Sequence, residues 1–439
     1  MNDSQLTIRY KQSIDVINKL NDFLLSVKAS NYFKIEDLFY YMEPIFKQNG
    51  YREKDIDNGK TKKILILHEG GVGDFVMFTP VLREIRAHFP KDEIFLLETS
   101  TQLAQFCPYV DKVIKNPYTY IDDFYDMYEA ALHLSSLLLP YHIDIVFDYK
   151  NFSHTGLVAY MCGAAVRIGF GADFPKKKCI YEKINHGYIS YLLTEKISFN
   201  TYNNHVIDSH ISMLESYFNE DIVNRKTEVW YTPFELERMY NILIEKNFKD
   251  SHLYVMSFGG LLGSKRWPIE KYIELCKKIC NIDKEAKFIL IGGNSEINDS
   301  NIFTDSFSDE QVINFVSKIS YRETAALMKL CSCYIGNDTS AMHMAVASSL
   351  PVLVPFSRAA DLKFDGFSTL EQVIPKGVPA IIVIPKHALK PCCDRDYSQG
   401  CYNSRPHCIK NIDTDTMLSG WQMLLEKVEK KDVTTSIIY

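Results

Sequence analysis

The sequence predicts an α/β protein built from two doubly wound parallel-sheet halves behind a helical extension. Three observations predict it. Short apolar runs such as Ile64–Leu67 and Ile94–Leu97 alternate with stretches of helical period, the pattern of parallel strands covered by helices on both faces. A glycine-rich turn follows the first run and opens a helix with Val81, Leu82, Ile85 and Phe89 on one face, which makes a βαβ unit. The series then starts again at Leu253-Tyr254-Val255-Met256-Ser257. A chain of 439 residues is long enough for two such domains, each with a full core.

Taken in order, residues 1–60 carry two helical patterns, Ile14, Ile17, Leu20, Leu24, Val27 and then Ile35, Leu38, Phe39, Met42, Ile45, Phe46. They read as helices packed on the main body, the alternative being a contact with another subunit or a membrane surface. Residues 61–240 form the first half. Its later elements are a strand at Lys112–Ile114, a helix over 122–139 and a strand at Ile143–Phe147. From about Gly171 to Asp208 no period holds, which reads as loops. A helix over 233–247 bridges into the second half, 241–439, with strands near 253–257, 288–291, 312–315, 333–335 and 352–354. In such sheets ligands sit at the carboxyl ends of the strands, and two facing halves place the active site between them.

Composition narrows the function classes. The chain is 46% apolar and 24% charged, which excludes disorder and collagen-like repeats. Against 49 basic residues stand 55 acidic ones, a net charge of -6, so a chain-wide basic footprint for nucleic acid is excluded. Eleven cysteines, odd in number and mostly scattered, fit a reducing compartment better than a disulfide framework. The N-terminus lacks the apolar core of a signal peptide, and no run reaches the roughly 18 apolar residues of a membrane span. A soluble, cytoplasmic protein is the expectation.

Five motifs could carry chemistry. Gly70-Gly71-Val72-Gly73-Asp74 follows the first strand; its glycines permit a tight turn close to a ligand, and Asp74 is either a helix cap or a general base. Lys265 and Arg266, in Gly263-Ser264-Lys265-Arg266-Trp267-Pro268, lie in a loop after the first strand of the second half, where cations can hold a phosphate. Gly336-Asn337-Asp338-Thr339-Ser340-Ala341-Met342-His343 is a strand end running into a helix start. Its unpaired N–H groups, with the Thr339 and Ser340 hydroxyls, suit a diphosphate, Asp338 a sugar hydroxyl, and His343 the phosphates one turn in. The alternative has Asp338 or Thr339 as an ordinary cap and His343 as a core residue. Glu296, in Gly292-Gly293-Asn294-Ser295-Glu296, is either a nucleotide contact or a favourable helix-start charge. Finally, Cys392, Cys393, Cys401 and Cys408 fall within seventeen residues. Four thiolates can hold a structural zinc or iron, although the spacing is not a double C-x-x-C and buried thiols are the alternative.

Together these stretches resemble glycosyltransferase family 9, the heptosyltransferases of bacterial lipopolysaccharide assembly, from about Lys63 to Leu425. KILILHEGGVGDFVMFTPVLREIRAHFP is similar to the family's opening strand, turn and helix, and DIVFDYKNFSHTGLVAYMCGAAVRIGF to a later strand-helix-strand unit. SFGGLLGSKRWPIEKYIEL resembles its Lys-x-Trp-Pro segment and IGNDTSAMHMAVASSLPVLVPF its Asp-Ser-Gly-x-x-His helix start. The resemblance implies a GT-B fold, two Rossmann-like domains facing a central cleft, and inverting transfer without a catalytic metal. It also implies a nucleotide-sugar donor, ADP-heptose, and a glycan acceptor of lipopolysaccharide or a related surface glycoconjugate. Residue by residue it implies Asp74 as general base, Lys265 as phosphate ligand, Asp338, Thr339, Ser340 and His343 at the donor, and Glu296 at the nucleotide.

The first half would then hold the acceptor, with Gly73 at the turn. Lys150, Arg167 and the run Lys176–Lys178 are candidates for an acidic glycolipid, which would bring the protein to the inner face of a membrane; a solvated surface is the alternative for the run. Where the family has Asp-Ser-Gly this chain has Asp338-Thr339-Ser340, a bulkier wall beside the donor. Rival readings are a protein-directed glycosyltransferase of the same fold and a non-catalytic sugar-nucleotide-binding module. A nicotinamide-dependent epimerase is disfavoured, because no tyrosine here has a lysine four positions on.

Overall fold

In a computed structural model the apolar runs become two parallel sheets. The structure describes residues 11, 13–22, 25, 60–118, 124–150, 153–171, 192–198, 205–260, 263–357, 359–360, 370–387 and 408–439. The first sheet contains β1 (Lys63–Leu67), β2 (Glu93–Glu98), β3 (Lys112–Lys115), β4 (Ile145–Asp148), β5 (Val166–Phe170) and β6 (Glu195–Ile197). Its order is β3-β2-β1-β4-β5-β6, every pairing parallel. The second contains β7 (His252–Ser257), β8 (Ala286–Leu290), β9 (Val312–Asn314), β10 (Cys333–Gly336), β11 (Val352–Pro355), β12 (Ala380–Val383) and β13 (Thr435–Ile438). Its order, β13-β12-β11-β10-β7-β8-β9, repeats the same winding and adds one edge strand. In both sheets the winding direction reverses beside the first strand, between β1 and β4 and between β7 and β10. These are the topological switch points at which such sheets bind ligands.

Contacts divide the chain into two units. One comprises residues 1–71, 81–202 and 207–223; the other comprises 72–80, 203–206 and 224–439. One division falls inside the helix Val72–His88, at Pro80, where the ring removes a backbone donor and crowds the preceding turn. The first turns of that helix therefore group with the second unit. There Thr79 Oγ1 accepts the N–H of Glu228 at 2.9 Å, and Phe75 packs edge-on against Trp230.

The core of the first unit includes the expected N-terminal helix. Residues 13–22 are helical, and Val16 and Leu20 are wholly buried among Leu65, Leu67, Leu134 and Val146. The second N-terminal pattern, around residues 35–46, lies outside the described residues, as does the Lys176–Lys178 run. The second unit is built around Trp267, Tyr272, Phe288 and Trp421, the last from the helix Thr414–Glu429. Besides β12, two strands, β6 and β13, arise where the sequence reading assigns none. They are three and four residues long and lie at sheet edges, where a short, half-polar strand leaves little period to read. No helix among the described residues is long and apolar enough to cross a membrane.

Candidate functional site

In the second unit the site forms at the β7–β10 switch point. Gly336, the last residue of β10, pairs with Ser257, the last of β7. A Cβ on Gly336 would stand 2.6 Å from the Ser257 carbonyl oxygen, so only glycine lets the two strand ends come this close. The next residue, Asn337, is fully buried. Its Oδ1 accepts the Trp267 N–H at 3.1 Å and the Tyr272 hydroxyl at 2.8 Å, and its Nδ2 donates to the carbonyls of Phe258 and Gly259 at 2.7 and 3.0 Å. One amide thus ties the loop after β7, the Lys265 loop and the helix start into one piece, with all its main hydrogen-bonding capacity used. Burial pushes the phenols of Tyr272 and Tyr334 well up, so both remain donors; Tyr334 donates to the Asn337 carbonyl at 2.9 Å.

On this frame Lys265, in the short turn Gly263–Lys265, donates to Asp338 Oδ2 at 2.6 Å. The carboxylate is 4% exposed and the lysine 39%. The pair therefore has one end in the protein and one at the surface, and the lysine compensates an otherwise costly buried charge. Asp338 does not cap the following helix, Ser340–Ala347. Thr339 occupies the cap position in extended backbone and makes no capping bond through its side chain, so the positive helix start is not closed off by its own cap. One turn in, burial holds the His343 imidazole below the ordinary histidine range; the Asp338 and Asp74 carboxylates oppose this and Lys265 adds to it.

The first turn of the helix Val72–His88 belongs to the same unit. Gly73 stands against His343: a Cβ there would lie 2.9 Å from His343 Cδ2 and 3.4 Å from the Ser340 Cα. Asp74, in that turn, is exposed and close enough to act electrostatically on His343. Asp74, Lys265, Asp338, Thr339, Ser340 and His343 are thereby brought together. Glu296, expected at the nucleotide, is only 8% exposed. Its Oε2 accepts from Ser257 Oγ at 3.1 Å and the Gly259 N–H at 2.7 Å, and its Oε1 from the Gly293 N–H at 3.2 Å. Its carboxylate clasps the loops after β7 and β8, and the charge at the helix start is engaged by backbone.

In the first unit the carboxyl edge of the sheet is polar and largely internal. His68 Nδ1 is bonded to Glu98 Oε2, both side chains buried. Glu69 Oε1 accepts from Asn116 Nδ2 at 2.6 Å and binds His154 Nε2 at 3.1 Å. Asp148, at the end of β4, accepts the Lys150 N–H and the Thr155 hydroxyl, each at 3.0 Å. Lys150 is at this edge and partly buried. Arg167 is not on the surface: it is 4% exposed, with Nε donating to the Leu192 carbonyl and Nη1 to that of Ala164, both at 2.6 Å. Its guanidinium fastens the β5–β6 connection, a fate its charge alone does not reveal.

Sequence reasoning missed Asn337, His68, Glu98 and Asn116. Their one signal is a polar residue at the end of, or just beyond, an apolar strand. Among the described residues no group of three or more His, Cys, Asp or Glu is placed to hold a metal ion. Cys392, Cys393 and Cys401 lie outside them, and Cys408 is buried at the start of the turn Cys408–Asn411.

Comparison with known proteins agrees with this architecture. The family model of glycosyltransferase family 9 (heptosyltransferase) matches residues 132–375. A putative glycosyltransferase of Haemophilus influenzae is 20% identical over 318 residues, 68% of this chain and 84% of that protein. Lipopolysaccharide heptosyltransferase 1 of Campylobacter coli is 24% identical over 327 residues, 72% of this chain and 90% of that protein. Among solved structures, a family 9 glycosyltransferase of Veillonella parvula superposes with a TM-score of 0.66 at 16% identity, covering 83% of this chain and 98% of that one. The ADP-heptose lipopolysaccharide heptosyltransferase II of E. coli superposes with a TM-score of 0.61 at 17% identity, covering 84% and 99%. These likenesses show the fold, GT-B with two Rossmann-like domains. The match of the family model over more than half of the chain's residues identifies this chain as a glycosyltransferase belonging to family 9.

Proposed function

We propose that this enzyme transfers heptose from ADP-heptose, with inversion and without a catalytic metal, to a glycan acceptor of lipopolysaccharide or a related surface glycoconjugate. The observation that carries the reading is the placement of the Asp74 turn beside His343 and the Lys265–Asp338 pair in one unit. A base and a diphosphate site next to each other are what a single displacement needs. In that step an acceptor hydroxyl gives its proton to the Asp74 carboxylate while its oxygen bonds to the anomeric carbon. The bond from that carbon to the phosphate oxygen breaks on the opposite face, and ADP leaves with the electron pair. Lys265 and the N–H groups at the start of Ser340–Ala347 stabilise the charge growing on the leaving group.

The heptose donor and the lipopolysaccharide acceptor are drawn from the Campylobacter coli and E. coli relatives named above. A glycolipid acceptor presented at a membrane surface would meet the carboxyl edge of the first unit, where Gly70, Gly71 and Lys150 lie. Thermal-shift measurement against a panel of nucleotide sugars tests the donor. Held at roughly 100 times its dissociation constant, a true ligand adds about 2.7 kcal/mol to stability. ADP-heptose is expected to raise the melting temperature and UDP-sugars to leave it unchanged. Preference for a UDP-sugar would overturn the donor assignment, and Ser340, the first residue of the helix Ser340–Ala347, would be the residue to examine.

A further inference from the structure

We propose that Glu98, the last residue of β2, with Thr99 and Ser100 just beyond it, forms a clamp that positions the entry to the helix whose first turn carries Asp74. This rests on the reading of Asp74 as the general base. The register pairs Leu67 with Leu97, so His68 and Glu98 are the next residues along β1 and β2. Glu98 is wholly buried. Its Oε2 bonds to His68 Nδ1, while its Oε1 accepts the N–H groups of Thr99 and Ser100 at 2.8 and 3.0 Å. A buried carboxylate held on both oxygens cannot rotate without leaving charge unpaired, so the two residues after it are fixed in place.

Those two residues in turn grip Gly70. Thr99 Oγ1 donates to the Gly70 carbonyl at 2.7 Å and accepts the Gly70 N–H at 3.1 Å. Ser100 Oγ donates to the same carbonyl at 2.7 Å. Both polar groups of the Gly70 backbone are therefore engaged by side chains from a different strand. Gly70 lies two residues before the helix Val72–His88, whose first turn carries Asp74, and the one residue between, Gly71, offers no side chain to stiffen the link. A loop of this composition wanders unless tied from outside. The clamp supplies the tie, and its chemistry is limited to placement: none of its three residues reaches the reacting atoms in the step described above.

The test uses the full-length enzyme carrying Thr99→Val with Ser100→Ala, which removes both hydroxyls and leaves Glu98 and His68 in place. With the base mispositioned, kcat at saturating donor should fall about 10- to 100-fold, while the affinity for ADP, measured by calorimetry, stays that of the wild type. Thr99→Ser, which restores a hydroxyl at the same place, should recover most of the rate. Wild-type kcat in the double variant would overturn the proposal, and so would parallel loss of ADP binding and kcat, which marks a merely structural role. Ser100→Ala alone, expected to show an intermediate kcat, keeps the question open to measurement if the double variant folds poorly. Asp74→Asn run alongside separates the two readings. If it is inactive and the double variant is not, the clamp fails alone; if it turns over like wild type, the base assignment fails first.

Discussion

Asp74→Asn is expected to abolish sugar transfer while leaving nucleotide binding intact. Asparagine keeps the size of the side chain and its place in the first turn of Val72–His88, but it cannot take a proton from the acceptor hydroxyl. A positioned base contributes roughly 10² to 10⁴ in rate, and the loss should appear in kcat rather than in donor affinity. Asp74 is exposed, so the change should cost little stability. One secondary effect has a definite sign. Asp74 is among the charges that favour the His343 cation, so its removal should lower that imidazole's pKa further. Turnover with ADP-heptose and calorimetric titration of ADP, made on the same preparation, check both parts. Turnover near wild type would remove Asp74 from the mechanism.

Lys265→Ala should weaken nucleotide binding and destabilise the second unit together. Loss of a charge-assisted hydrogen bond costs about 1.5–3 kcal/mol, which corresponds to about 10- to 150-fold in ADP affinity. The stability loss has a separate origin: Asp338, 4% exposed, is left without its cation, and an uncompensated buried charge is strongly destabilising. The two effects can be separated. Adding Asp338→Asn removes the orphaned charge, so the double variant should regain melting temperature but not ADP affinity. Recovery of both would mean that Lys265 serves the fold and not the ligand.

The strands and the main turns were legible in the sequence because they depend on local pattern. Ile64–Leu67 and Leu253–Met256 are apolar on both faces, and the turns after them carry glycine where the chain must approach something closely. Asp74, Lys265 and the Asp338–His343 stretch could be picked out as candidates for the same reason, each standing at a strand end. What could not be read depends on partners far away in the chain. Asn337 acquires its role from Trp267, Tyr272 and Phe258, and Glu98 from His68 and the Gly70 turn. Neither residue differs in local sequence from an ordinary polar residue at a strand end. Arg167 shows the converse. A basic residue in a strand looks like a ligand for an acidic group, yet here its guanidinium is turned inward to the Leu192 and Ala164 carbonyls. Glu296 likewise stands near a helix start, as expected, but its carboxylate is directed at backbone N–H groups of two loops.

The proposed reaction is a single displacement at the anomeric carbon, with Asp74 as base and the Lys265–His343 region holding the departing diphosphate. Proton NMR of the newly formed glycosidic bond, recorded on product made from a donor of known anomeric configuration, tests it most directly. One displacement predicts a product of opposite configuration at that carbon. A product that retains the donor's configuration would require a second displacement or a front-face path, and would contradict the mechanism proposed for this site.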